Sequence, residues 1–374
     1  MFLMNNKYYF SKLDIIKCFA YFLIFFQHTG FKYLKFGPWG VSFFLVMSGF
    51  LLMNSFYNNE DLDKYSFLES LKFAIYKIKP VYILHLVCLL FYIPLMFAGT
   101  VSYSSKGAML RIFTNLFLIQ EWFPMNNSSL NECSWFLSSL IFCYFLFPFL
   151  LRIIKKYSTK LNKGKSLLII VLLFVLQIVL CFVSYFLPEL PNYDITYWFI
   201  YRFPLTRFID FAIGCFLYIL FIKYDTNKNI NSTSKEVLGI LLTILSFVLV
   251  ILYIYFSEAN LSFSFFKPFT YSVIFTPSVC LLVFYFALGK GMISKITYNE
   301  HYKKIANLCR YNFLIHYVVF DLVRIVLTIT ANYSSLSLLN HLPIIKSSVG
   351  LVISFVLSYF WGALIDERLS VSKK

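Results

Sequence analysis

Lys12–Leu52 reads KLDIIKCFAYFLIFFQHTGFKYLKFGPWGVSFFLVMSGFLL, two apolar runs joined by a short polar link containing Gly and Pro. A helix that crosses a bilayer needs about 20 mainly apolar residues, and each run is of that order. Asp14 and Lys17 stand at the start of the first run and His28 near its end. Lys17 and His28 are separated by about three full helical turns, so they share a face and lie roughly 16 Å apart along the axis. Ionisable groups inside a span are costly and face a polar cavity or a partner. Taken singly, Lys17 reads as a snorkelling anchor and His28 as an interfacial group. On one face, they become a candidate pair.

The rest of the chain extends this pattern. Of 374 residues, 60% are hydrophobic and 13% charged, whereas a soluble domain carries about a quarter charged residues. The expected fold is therefore all-α, a polytopic membrane bundle of about ten transmembrane helices. The spans fall near 13–31, 38–56, 80–98, 134–151, 167–187, 203–222, 237–257, 268–289, 308–330 and 345–365. A shorter apolar segment at 107–120 reads as interfacial or re-entrant. The remaining gaps are loops, so residues 1–374 form a single membrane domain with no appended soluble domain.

The net charge of +16 does not imply nucleic acid, because the basic residues sit in the gaps between spans and form no stripe with interleaved aromatics. With both termini inside, 23 Lys and Arg fall on inner segments and seven on outer ones. The positive-inside rule then places both termini in the cytoplasm. The eight cysteines form no CxxC. They read as small hydrophobes, with neither a disulfide frame nor a metal site implied.

Asp14-Ile-Ile-Lys17, ten further residues, His28, and then the helix Gly40-Val-Ser-Phe-Phe-Leu-Val-Met-Ser48-Gly49-Phe-Leu resemble the opening of the acyltransferase type 3 family. Those are integral membrane proteins that move acyl groups, commonly acetyl, onto sugars of surface glycans. The family has a basic residue, usually arginine, ten positions before the histidine. Here it is Lys17, which keeps the charge without the bidentate fork. Phe73-Ala-Ile-Tyr-Lys77-Ile-Lys79-Pro80 resembles the basic stretch before the family's third helix, again with lysines where arginines are usual. Cys133-Ser-Trp135-Phe-Leu, Arg207-Phe-Ile-Asp210-Phe-Ala-Ile-Gly214 and Tyr311-Asn-Phe-Leu-Ile-His316 resemble later family segments.

Imidazole suits removal of a hydroxyl proton near neutral pH, and it can also carry an acyl group. His28 is therefore the candidate catalytic residue. Lys17, Lys77 and Lys79 are candidates for holding the phosphates of coenzyme A as point charges, or are positive-inside anchors. Asp14, Ser48, Trp135, Arg207, Asp210 and His316 are supporting polar candidates, and most have a plain structural alternative. Ser48-Gly49 also reads as close helix packing, Trp135 as an outer aromatic-belt anchor, and Arg207–Asp210 as an i,i+3 pair neutralised inside the membrane. His85 reads as a buried polar contact. Glu121 and Glu132 flank the loop before Trp135, and nothing singles one out.

The resemblance implies acetyl-CoA as the acyl donor and a hydroxyl of a cell-surface or lipid-linked polysaccharide as the acceptor. It implies no metal and no nucleic acid, and a site in a bacterial inner membrane among its lipids. Two other readings stay open, a glycan transporter or flippase and a catalytically degenerate membrane partner.

Overall fold

The computed structural model describes residues 10–59, 61–97, 105–124, 130–188, 194–224, 232–258, 263–297, 299–333 and 341–371. The chain's first and last residues, on which the expectation of cytoplasmic termini falls, lie outside these. The described residues form helices and no strand. In chain order the helices are α1 (Asp14–Thr29), α2 (Gly37–Phe56), α3 (Phe67–Phe97), α4 (Ser105–Leu116), α5 (Trp135–Lys156), α6 (Lys163–Val183) and α7 (Ile195–Tyr197). There follow α8 (Pro204–Lys223), α9 (Ser232–Glu258), α10 (Thr276–Leu288), α11 (Met292–Ile296), α12 (Glu300–Tyr333), α13 (Leu342–Ile345) and α14 (Leu351–Val371).

Nine helical segments among the described residues are long and apolar enough to cross a membrane. The tenth expected span is α1, which has 16 residues and so a length of about 24 Å. A 3-10 turn at Ser11–Leu13 extends it. Lys12 Nζ donates to the carbonyl of Gly289, just past the end of α10, at 2.6 Å. At the other end Gly30 takes a left-handed conformation, φ 99°, which closes the helix at little steric cost. A Cβ there would lie 3.8 Å from Pro343, where α13 begins. The helix thus runs from the end of one long span to the beginning of another.

Helix α2 lies at the centre of the bundle, almost wholly buried. It packs closely on α1 and α8 through small residues. A Cβ on Gly40 would collide with the Ala20 carbonyl, one on Gly49 with that of Phe211, and one on Gly214 with that of Val46. Lipid tails give apolar faces no reason to prefer each other, so close backbone approach is what holds such helices together. The packing expected of Ser48-Gly49 is present in this form. Around this pair, α6 and α5 pack on α8, α10 packs on α2 and α9, and α12 packs on α1, α3 and α14.

Loop contacts fall into two sets. One joins Lys12 to Gly289, Lys155 to Asn59 and Asp63, and Glu236 to the amides of Ile293 and Ser294 at the start of α11. The other joins Gly30 to Pro343, Trp198 Nε1 to the Glu121 carbonyl, Arg202 to Glu132, and Lys267 to Asp194. These are the two ends of the bundle that the charge asymmetry separates. The first set belongs to the basic side.

Several helices outrun the apolar spans. Helix α3 begins at Phe67 rather than near 80, and α12 at Glu300 rather than near 308. Hydropathy marks where lipid is, whereas a helix continues as long as its backbone bonds are satisfied. Ser66 and Glu69 form a capping box at the start of α3, with the Ser66 amide on the Glu69 carboxylate at 2.7 Å and the Glu69 amide on the Ser66 hydroxyl at 3.4 Å. Lys77 and Lys79 are therefore helical residues, not loop residues. The span expected at 268–289 is present at Pro268–Leu288 and is built from a 3-10 turn at Pro268–Tyr271 followed by α10. The segment expected to be interfacial holds α4, which packs one face on α3 while Met109, Leu110, Phe113 and Phe117 on or just after it stay exposed. Tyr82 donates to the Leu116 carbonyl at 2.7 Å, and the His85 ring nitrogen lies 2.9 Å from the Asn115 carbonyl. His85 is a buried polar contact, as its position in the sequence suggested.

Candidate active site

Helices α1, α2, α3, α5 and α12 enclose a cavity of about 390 Å³ toward the basic end of the bundle. Lys17, Lys77 and Arg310 reach its wall, together with Tyr21, Ser48 and Tyr144. The three cations stand differently. Lys17 pairs with Asp14 at 2.7 Å, as i,i+3 spacing allows. Arg310 is exposed and donates to the Tyr311 hydroxyl at 2.7 Å. The Lys77 ammonium is buried without a hydrogen-bond partner, 4.3 Å from the centre of the Phe56 ring. An ammonium in that state is costly unless an anion completes it.

The cavity deepens to Phe136 and Phe313. Phe313 also lines a second, much smaller cavity of about 20 Å³ beside His28, Glu132, Trp135 and Tyr201. That volume suits about one water molecule. Phe313 is thus the lining residue that the basic cavity and the His28 cavity share. Tyr21 bridges the same gap from α1, lining the larger cavity with its ring edge-on to His316, centroids 6.0 Å apart.

His28 and His316 meet across the bundle. His28 Nδ1 lies 3.0 Å from His316 Nε2, and the rings are nearly parallel, 16° between planes. The far nitrogen of His316, Nδ1, lies 2.8 Å from the Asn312 carbonyl. A carbonyl can only accept, so His316 Nδ1 carries the proton and its Nε2 holds a lone pair. His28 Nδ1–H then donates to that lone pair, which leaves His28 Nε2 unprotonated. This chain from carbonyl through His316 to His28 fixes a tautomer of His28 ready to take a proton. Cys133 Sγ lies 3.6 Å from both ring nitrogens of the pair. Asn131 holds the turn that carries it, receiving the Cys133 amide at 3.0 Å and donating to the Leu314 carbonyl on α12 at 2.9 Å.

The other candidates separate into two groups. Ser48 and Lys17 lie on the basic cavity, and His316 and Trp135 lie beside His28. Trp135 is 4% exposed and sits against Tyr201, ring centroids 4.7 Å apart. The belt reading of this residue is therefore replaced, since a buried ring cannot anchor at a lipid interface. Lys79 is exposed and stands off the cavity wall, because it is two residues from Lys77 and so faces the opposite side of α3. Arg207 and Asp210 are fully buried and pair at 2.9 Å. Ser42 receives a bond from Arg207 at 3.1 Å, Gln177 donates to Asp210 at 2.8 Å, and Thr276 donates to Gln177 at 3.0 Å. This network ties α2, α6, α8 and α10 together and neutralises the pair structurally.

Sequence reading passed over Cys133, Arg310, Tyr21 and Phe313. Arg202, in the gap between the expected spans 167–187 and 203–222, is buried between Glu121 and Glu132. Glu132 is the acid that lines the His28 cavity.

Among the described residues, nine helices long and apolar enough to cross a membrane pack with α1 around a histidine of fixed tautomer and a neighbouring basic cavity, an arrangement that suits an enzyme of the membrane. The chain matches the family model described as "Acyltransferase domain" over residues 10–366. It belongs to that family, the one its first two helices resemble, and is a membrane acyltransferase. No curated protein matches it, and no solved structure does.

Proposed function

We propose that this chain transfers an acetyl group from acetyl-CoA to a hydroxyl of a cell-surface or lipid-linked polysaccharide. The observation that carries the reading is the basic cavity, with a Lys77 ammonium that has no hydrogen-bond partner, and Phe313 lining both that cavity and the small one beside His28. A coenzyme A donor is a polyanion with a long, thin thioester arm. Lys77, Lys17 and Arg310 would hold its phosphates, and the arm would pass Phe313 to present the thioester at His28. Lys79 has no part in this.

His28 Nε2 takes the proton of the acceptor hydroxyl as its oxygen attacks the thioester carbonyl carbon. The imidazolium that forms is stabilised by His316, which is itself held by the Asn312 carbonyl. The tetrahedral adduct collapses with cleavage of the carbon–sulfur bond, and the departing thiolate recovers the proton from His28. The products are the sugar ester and coenzyme A, and His28 returns to its starting state. The donor side being the basic side, the same proposal puts the termini in the cytoplasm and the protein in a bacterial inner membrane.

The test is incorporation of labelled acetyl from acetyl-CoA into lipid-linked or surface glycan by membranes carrying the protein. Label in the glycan that depends on the protein supports the reading. No label with the native acceptor supplied contradicts it, and acceptor movement without any thioester requirement would make the chain a transporter.

A further inference from the structure

The geometry points to a zinc(II) site formed by His28 Nδ1, His316 Nε2 and Cys133 Sγ. These three atoms, from α1, α12 and the turn before α5, all lie within 4.8 Å of one another. Zn–N distances of about 2.0–2.1 Å and a Zn–S distance of about 2.3 Å in a tetrahedron require N···S edges near 3.5–3.6 Å and an N···N edge of about 3.3–3.4 Å. The observed edges are 3.6, 3.6 and 3.0 Å. A shift of a few tenths of an ångström in the two rings opens the last edge to the required length.

Two further observations favour a metal over a purely hydrogen-bonded cluster. The His316 Nδ1–H bond to the Asn312 carbonyl, 2.8 Å, is the outer-shell contact that orients a ligating histidine and frees its other nitrogen. Hydrogen bonding alone also leaves the cluster one lone pair short. His28 Nδ1–H and the Cys133 thiol both face the single lone pair of His316 Nε2, and only one can use it well. A thiolate and two neutral imidazoles around Zn²⁺ remove that competition. On binding, Cys133 releases its proton to solvent, and the His28 proton moves from Nδ1 to Nε2. Three protein ligands leave a fourth position for an exogenous ligand.

The consequence for activity rests on the proposed function. With Nδ1 on the metal, His28 Nε2 carries a proton and cannot accept one, so zinc occupancy silences the base. Metal binding itself does not depend on that reading.

The test uses the full chain, purified in detergent, stripped with a chelator and reloaded with Zn²⁺ or Co²⁺. One zinc per chain is expected after desalting, and Co²⁺ should give a thiolate-to-metal charge-transfer band. Both should be lost in Cys133→Ser, and His316→Asn should weaken zinc by more than about 100-fold, beyond the usual loss of an outer-shell partner. Cys133→Ala serves if the serine variant does not elute as a folded monodisperse species. Substoichiometric zinc in the wild type overturns the site, as does a cobalt band that survives removal of the Cys133 sulfur. Zinc should also inhibit acetyl transfer reversibly in the wild type. Stoichiometric binding without inhibition would keep the site and overturn the assignment of His28 as base. Transfer with no zinc binding would do the reverse.

Discussion

His316 is a positioning residue, and its replacement separates its role from that of His28. Its Nε2 receives the Nδ1–H of His28 at 3.0 Å, a bond that becomes charge-assisted when His28 is protonated during transfer. Hydrogen bonds to charged groups contribute about 1.5–3 kcal/mol, which corresponds to about 10- to 150-fold in rate. His316→Ala should therefore lower kcat by that factor while the KM for acetyl-CoA stays near the wild-type value, because His316 does not line the basic cavity. His316→Gln, whose carbonyl oxygen can accept from His28, should recover part of the loss. The assay is labelled acetyl transfer at varied donor concentration, with chelator present so that metal occupancy does not differ between variants. An unchanged kcat for His316→Ala, or a loss expressed wholly in KM, would refute the tautomer chain from the Asn312 carbonyl to His28.

Three more perturbations test other parts of the account. Lys77→Met should raise the KM for acetyl-CoA by about 10- to 150-fold, the worth of one charge-assisted bond, and Lys79→Met should leave it unchanged; steady-state kinetics that show equal effects would contradict the placement of the donor. Gly49→Ala and Gly214→Ala force a Cβ onto the Phe211 and Val46 carbonyls and should each cost about 1–3 kcal/mol, read as a lower thermal-unfolding midpoint in detergent. Gly164→Ala, where a Cβ would meet only Asn162 at 3.6 Å, should not, and equal midpoints in all three would contradict the close α2–α8 packing. A topology reporter fused after Lys165 should be active only on the cytoplasmic side, and activity on the outer face would displace the donor end.

The bundle was legible because burial in lipid leaves long apolar runs, and the His28 helix because two ionisable groups at helical spacing on one apolar segment demand a polar partner. Helix ends were less legible. The Ser66–Glu69 capping box is a local signal for the true start of α3, but it lies outside the apolar run that hydropathy registers. The basic cavity was visible in part: Lys17 and Lys77 stand in motif positions, whereas Arg310 has no neighbour in sequence that marks it. Cys133 was not legible at all. Its partners are 105 and 183 residues away, and a cysteine at the start of an apolar helix has the composition of any buried small residue. Lys79 carries the same sequence signal as Lys77 but faces away from the cavity that Lys77 lines.

Proton transfer from the acceptor to His28 is read by comparing wild type with His28→Ala at matched membrane levels and matched coenzyme A binding. Label from acetyl-CoA should appear in the glycan with the wild type and fall by about 10²–10⁴-fold in the variant, the range for loss of a general base. Equal label in the two would remove His28 from the chemistry.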